Sequence, residues 1–482
     1  MLAVPFGASA EEGERLELSL AQALDFALHN NLELAGERLL PELAETAVGG
    51  AEAVFDPTLS SRIGYTRDRQ PPQLVARPDD IEALSYEAVV RQQLPWGTSY
   101  EVGYGYDRID LAADQAPSPT HGARLHLGVR QPLLQGAWGI EGRTAVTRAE
   151  RTVGIADAEL RRKRDAVLAS TVEAYWRLAR ALEAARVASE SLRVAEELRG
   201  EAQIQVTAGT LEPVEVTQAS AGVALREEAV IRAQAEIGDA QDALLRLVLG
   251  DEATKLDRQV VPTERMEPEV RAVELQPLLQ KAQANRPELE ALRLALHNEE
   301  DRLKLARNQL LPALDAVGSV GVGGLAGRWA DGHRELGSQF DSQYRWSAGL
   351  QLTMPLGNRL ARSGRDAAEL SVRRTRLALR DAELGVASEV RSAVRAVNTS
   401  AKRVLATREA VRLAGEQLRA EKRLLEVGHS TSFRLLRLET DLAAARNARI
   451  AAVTDHLTQR FQLERVVGRL EARSARGTDV DL

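Results

Sequence analysis

The sequence contains no cysteine. Disulfides, thiolate metal sites, a cysteine nucleophile and an N-terminal lipidated cysteine are all excluded. It also lacks any run of about 20 apolar residues, so no transmembrane helix is expected. A closed β-barrel is then the only way for this chain to span a bilayer. A strong charge of one sign is missing as well. The formal net charge is -7 over 482 residues with both signs abundant, which gives no reason to expect a nucleic-acid partner.

Signatures of catalysis are equally scarce. The glycine-rich GSVGVGGLAG (318–327) lacks the Lys-Ser/Thr of a phosphate loop and reads as small residues in a strand and its turn. The seven histidines form no H-E-x-x-H or clustered ligand pattern, and there is no GxSxG elbow. Neither a cofactor, nor a metal, nor enzymatic activity is expected.

What is present is an apolar content of 44% against 28% charged residues, enough for a sizeable core. The first residues, MLAVPFGASA, hold Ala8-Ser9-Ala10, the small-residue form of a signal-peptidase site. Residues 1–15 are expected to be residual signal or a flexible N-terminus.

The chain repeats itself. LSLAQALDFALHNNLELAGERLLPELAETAVGGAEAVFDPTLSS returns about 255 residues later as VELQPLLQKAQANRPELEALRLALHNEEDRLKLARNQLLPALDA. Asn30 aligns with Asn285, Glu33 with Glu288, Pro57 with Pro312 and Leu59 with Leu314. Gln131-Pro132-Leu133 later matches Met354-Pro355-Leu356, and TAGTLEP (207–213) matches EVGHSTS (426–432). Landmarks in one order, twice, mean duplication of a unit far too long for a solenoid.

Each half therefore shares a grammar. A short helix opens it, with Ser19 and Gln22 in capping-box spacing in the first half. A second helix follows, near 32–54 and 287–310, until Pro57 or Pro312 stops it. Strands come next, at 57–133 and 313–356. Then a helix of about 65 residues, near 143–207 and 362–427 and roughly 100 Å long, leads to a glycine-containing tip near 209 or 428 and a return helix. The first repeat is set at 16–250, the second at 273–470, with a polar linker at 251–272 and a flexible C-terminus at 471–482. Pro41 should kink the second helix of the first half. The narrow apolar stripe of the long helices, for example Val167, Tyr175, Leu178 and Leu182, suits coiled-coil packing.

The strand regions with their flanks, 55–138 and 313–357, hold 12 of the 18 aromatic residues. Leu59, Ile63 and Tyr65 alternate with Ser60, Arg62 and Gly64; Tyr104 sits between Gly103 and Gly105; Trp346, Leu350 and Leu352 alternate with Ser347, Gly349 and Gln351. Period 2 is the mark of a strand with two different faces. A soluble sheet packed on a helix alternates in the same way. The helical stripes are narrow and claimed by helix pairing, which favours lipid contact for Tyr65, Tyr104, Trp346, Leu350 and Leu352.

These residues, in this order, resemble the TolC-type outer-membrane efflux protein family. The likeness rests on the two-fold repeat, on the helix-to-strand junctions FDPTLS and LLPALD, on QPLLQG and MPLGN where strands end, and on the turns TAGTLEPVEV and EVGHSTSFRLL. The resemblance implies a mainly helical fold with membrane strands. Long antiparallel helical hairpins would form a periplasmic tunnel, and strands would join a shared trimeric barrel of twelve strands, four per protomer. It implies the outer membrane of a Gram-negative-type bacterium as location, with a large periplasmic part. The implied function is that of a passive exit duct in tripartite efflux or type I secretion, working with a periplasmic adaptor and an inner-membrane transporter. Four strands can be placed in the first strand region and two in the second, so the count departs from that pattern.

The resemblance also assigns roles at the tips. Gly209, Thr210, Leu211, Gly428, His429 and Ser430 match the adaptor contact surface; the glycines would also serve as plain helix C-caps. Family members carry Asp residues just past the second turn that narrow the tunnel; the matching positions here are Arg434 and Arg437. We expect these to pair with Glu212 and Glu215 across neighbouring hairpins as a tunnel gate, or else to be solvated surface charges. Left unpaired in the pore, the arginines would favour anions. A soluble coiled-coil scaffold with small β-modules is the alternative, and it would purify without detergent.

Overall fold

A computed structural model describes residues 16–69, 80–111, 119–210, 212–250, 259–332, 344–427 and 429–470. The chain forms two compact units. One comprises the segments up to Leu40, Asp157–Ala291 and from Leu379 onward; the other comprises Pro41–Ala156 and Leu292–Ala378.

The duplication is visible element by element. Helix α1 (Leu20–Asn30) has its counterpart in α5 (Gln276–Asn285), and α2 (Leu32–Glu52) in α6 (Pro287–Asn308). The long helices α3 (Ile140–Thr207) and α7 (Arg359–Glu426) have 68 residues each, and the return helices α4 (Pro213–Val248) and α8 (Ser432–Val467) have 36 each. Ser19 and Gln22 form the capping box in full: Ser19 Oγ accepts from the Gln22 amide, and the Gln22 side chain accepts from the Ser19 amide. Helix α2 continues unbroken through Pro41, although proline has no N–H for the carbonyl one turn back.

The first unit is helical with one small sheet. Strands β1 (Leu16–Leu18) and β6 (Val260–Pro262) pair in parallel and so join the starts of the two halves. The stretch read as a linker thus contains a strand. Its polar composition hid a three-residue pairing that only a distant partner completes. Tyr175 locks the pair: its hydroxyl donates to the Leu18 carbonyl at 3.0 Å and accepts from the Thr263 amide at 3.2 Å. Tyr175, Trp176, Leu178, Leu244, Val248 and Val260 are buried in the principal core, the two rings meeting edge to face at 5.3 Å. A second core joins α5, the first turn of α6, α7 and α8 through Leu278, Leu289, Val390, Val397 and Val467.

The second unit carries one six-stranded antiparallel sheet. Strands β2 (Thr58–Arg69), β3 (Asp80–Gln93), β4 (Ser99–Leu111), β5 (Thr120–Pro132), β7 (Ala313–Ala326) and β8 (Tyr344–Thr353) lie side by side in the order β2-β3-β4-β5-β7-β8. These are the four strands and the two placed from sequence in the two regions, against the four in all that the resemblance implies. The extra hairpin belongs to the first half. Pro57 and Pro312 are 255 apart, but Ile140 and Arg359 only 219 apart, so the first half holds 36 more residues between those landmarks. The β3–β4 turn is tight: the Leu94 amide donates to the Thr98 carbonyl at 2.8 Å, and Gly97 takes φ +91°, a conformation that disfavours any Cβ.

Candidate functional site: a one-sided sheet and two helical tips

Register decides which side chains share a face. Leu59 lies opposite Val90, Ile63 opposite Tyr86 and Tyr65 opposite Leu84. Ala88 faces Tyr104 and Tyr86 faces Tyr106 on the next strand, Val102 faces Leu127 and Tyr104 faces Leu125, Leu125 faces Val322, and Val320 faces Trp346, Ala316 faces Leu350 and Leu314 faces Leu352. All six strands therefore turn most of their apolar residues to one side, while Val89, Val317 and Leu325 lie on the other. Tyr65, Tyr104, Trp346, Leu350 and Leu352 are among them. Leu59 and Ile63 at one end are 73% exposed, as Trp346, Leu350 and Leu352 at the other are 67–70% exposed. From Tyr344 to Leu352 the band spans nine residues, about 30 Å along the strand. Past it on the same face come charged pairs such as Arg67 with Glu82 at 3.2 Å.

The opposite face is small and charged. Arg91 pairs with Glu101 at 2.9 Å, Arg124 with Asp107 at 2.9 Å and Arg130 with Asp315 at 2.5 Å. Arg124, Glu101 and the neighbouring His126 each lie across a glycine of the adjoining strand. A Cβ on Gly103 would strike the His126 ring, one on Gly105 the Arg124 side chain, and one on Gly128 would come within 3.0 Å of Glu101 Cγ. The polar groups thereby lie flat along the wall instead of standing off it. Such exposed pairs add little stability; what they do is neutralise one another along the surface.

In the other unit, both tips are built by local backbone chemistry. Gly209 takes φ +71°, its amide donates to the Val206 carbonyl at 3.0 Å, and Thr210 N donates to the Gln205 carbonyl at 3.0 Å. That closes α3 as a Schellman turn. Pro213 then starts α4 behind Glu212. The second tip repeats the six-to-one bond: His429 N donates to the Leu424 carbonyl at 2.8 Å. Leu211 and Gly428 lie outside the described residues.

Sequence reasoning missed the group that organises the second tip. Glu421, buried near the end of α7, accepts from Ser430 Oγ at 2.6 Å and pairs with Arg434 Nε at 3.2 Å. Thr431 caps α8 by accepting from the Arg434 amide. Within the chain, then, Arg434 turns to Glu421, about two helix turns before the tip, and not to Glu212 or Glu215. Among the described residues no ion pair joins Arg437 to either glutamate. Arg226 was missed too. This half-buried side chain on α4 reaches Ser191 Oγ on α3 at 3.0 Å and, on α8, the Leu436 carbonyl at 3.1 Å and Thr440 Oγ1 at 2.9 Å. Burial lowers its pKa somewhat, opposed by the Glu439 charge. The only sequence signal for either residue would have been a charge on the inward stripe of a long helix.

Residues 97–250 and 278–469 match the family described as outer membrane efflux protein. The chain belongs to the outer membrane efflux protein family. Two matched segments restate the duplication. Among solved structures, the chain is similar to the outer-membrane channel OprN, with 18% identity, a TM-score of 0.70, and coverage of 93% of this chain and 89% of that one. It is similar also to the CmeC outer membrane channel of Campylobacter jejuni, with 15% identity, TM-score 0.67 and coverage of 96% and 90%. The outer membrane protein VceC of Vibrio cholerae gives 19% identity, TM-score 0.65 and coverage of 93% and 96%. No curated protein matches. At these identities the solved structures speak for the fold, and the family match for the class: an efflux channel protein of the outer membrane, with a large periplasmic part. Family members are transport channels. The soluble scaffold is thereby set aside.

Proposed function

We propose that three copies of this chain assemble into the exit duct of a tripartite efflux or type I secretion system. The duct passively conducts substrates handed over by a periplasmic adaptor and an inner-membrane transporter. The observation that carries this is the one-sided sheet: six strands with one continuous apolar face and one paired-charge face, ending at β2 on one side and β8 on the other. A sheet end in hydrocarbon leaves backbone groups without partners, at several kcal/mol each. Six strands are too few to close a barrel, for which about eight is the practical minimum. Shared closure among copies resolves both, with the apolar face on lipid and the charged face on water. Tyr65, Tyr104, Trp346, Leu350 and Leu352 then contact lipid. The helices support the same reading. Leu370, Leu377, Leu384 and Leu405 on α7 follow heptad spacing and are 55–67% exposed in the single chain, a stripe suited to helices of another copy.

At the tips, Gly209, Thr210 and Leu211 with Gly428, His429 and Ser430 form the adaptor contact. Arg434 and Arg437, with Glu212 and Glu215 of the adjoining hairpin, ring the tunnel opening as its gate. The test has two arms. Native mass spectrometry of the protein extracted from outer membranes in detergent should give three copies; a protein that leaves the membrane fraction without detergent and runs as a monomer sinks the duct. Planar-bilayer recordings of Arg434→Ala/Arg437→Ala should show higher conductance and weaker anion preference than wild type. Unchanged currents and selectivity remove the gate.

A further inference from the structure

The structure assigns this chain a wider barrel than the family pattern implies. We propose that all six strands enter the wall, that β8 of one copy pairs with β2 of the next, and that a trimer closes with eighteen strands, six from each of three copies. This rests on the shared barrel proposed above.

Four observations carry it. The inserted hairpin does not fold away: β2, β3, β4 and β5 are paired over 11 to 13 residues at each junction, without a gap. The apolar face runs across all six strands, and its charges gather toward one end, where Arg108 lies opposite Leu84 and Arg67 opposite Glu82. An even strand number makes the ends compatible. With every neighbour antiparallel, β2 and β8 run in opposite directions, so their union continues the antiparallel ladder. It also puts the start of β2 at Thr58 and the end of β8 at Thr353 on one rim. Finally, the end strands carry no proline, and Arg62 of β2 and Arg345 of β8 lie on the face opposite the apolar band. Strand β8 reads YRWSAGLQLT, ten residues without proline, all exposed, and β2 opens with TLSSRIGY, without proline and almost wholly exposed. A long, flat, apolar edge is a template for another strand. The matching occupant is the opposite end of an identical sheet, which offers the same face and the same strand length.

Barrel diameter grows roughly linearly with strand number. Eighteen strands against twelve give an opening about 1.5-fold wider. The flat-lying Arg124, His126 and Glu101 leave that width open instead of filling it.

The chain's lack of cysteine makes the junction directly testable. Ser61→Cys on β2 is combined in turn with Ala348→Cys, Leu350→Cys and Leu352→Cys on β8, all on the apolar face. Cells are oxidised and outer membranes run on non-reducing gels. We expect at least one pair to give covalent dimers and trimers that vanish with reductant, and no product from the single variants. A parallel set places Val102→Cys on β4 against the same β8 positions. Cross-linking in that set, and not in the first, would mean a four-stranded contribution and would overturn the proposal while leaving the trimer in place. Trimers that cross-link in neither set overturn it too. A detergent-extracted protein that is monomeric removes the shared barrel and this proposal together. Where a variant fails to assemble, wild-type trimers viewed end-on by single-particle electron microscopy decide: eighteen strands support the proposal and twelve refute it.

Discussion

At the scale of single residues, burial and backbone geometry do more than net charge. Glu421 is the clearest case, because a buried carboxylate with Ser430 and Arg434 as partners holds the second tip against its own helix. Hydrogen bonds to charged groups contribute about 1.5–3 kcal/mol, less here because Arg434 is largely exposed. Glu421→Ala should therefore cost about 1–2 kcal/mol locally. Hydrogen exchange should quicken about tenfold over residues 421–434 and stay unchanged at the first tip. His456 on α8 sits fully buried with its Nδ1 2.9 Å from Ser400 Oγ of α7. Burial, reinforced by the Arg460 charge, lowers its pKa, although backbone groups at Glu269 and Val397 oppose the shift. Its unfolded form takes up a proton that the folded form resists. The stabilising contribution is thus present above the ordinary histidine value of about 6.5 and is lost as pH falls below it. Melting temperatures measured between pH 8 and pH 5 should fall more steeply for wild type than for His456→Gln, and parallel curves would refute this role.

At the scale of elements, the two faces of the sheet make opposite demands. A positive charge at the middle of a lipid-facing strand costs about 2–4 kcal/mol. Leu350→Arg should sharply reduce the amount of trimer in the outer membrane. Ser347→Arg, three residues earlier and on the other face, should leave assembly intact and shift ion selectivity toward anions. Equal loss of assembly in both would show that the faces are not lipid and water. The element scale is also where Asp301 belongs. Burial pushes its carboxyl upward, but hydrogen bonds and charge from Arg151 on α3 and Lys304 on its own helix outweigh that and leave the pKa below the ordinary range. It stays an anion and ties α6 to α3.

At the scale of the whole molecule, the stripes of leucine left exposed on α7 argue that a single copy is incomplete. Fully burying one leucine is worth about 1.5–3 kcal/mol, and three copies multiply the effect of a single substitution. Leu377→Glu should lower the temperature at which the trimer dissociates, read on unheated and heated gels, without changing the helical content of the protein. An unaltered dissociation temperature would mean that this stripe faces no neighbour.

Much of this was legible without coordinates, because the signals are local or periodic. Strand alternation, the stop at Pro57 and Pro312, the glycine at the first tip and the two-fold repeat all reside in neighbouring residues or in self-similarity. The long helices begin three residues before the expected 143 and 362 and end at or within one residue of the expected 207 and 427, since their amphipathic period is uninterrupted. What only the tertiary structure decided are partnerships between distant residues. The sheet order, the pairing of Leu16–Leu18 with Val260–Pro262, and the place of the inserted hairpin depend on backbone bonds between segments up to about 245 residues apart. The choice of Glu421 for Arg434 depends on which of several similar glutamates is buried beside it. Periodicity says that a face is apolar or that a charge needs a partner; only the folded register says which strand or which carboxylate answers.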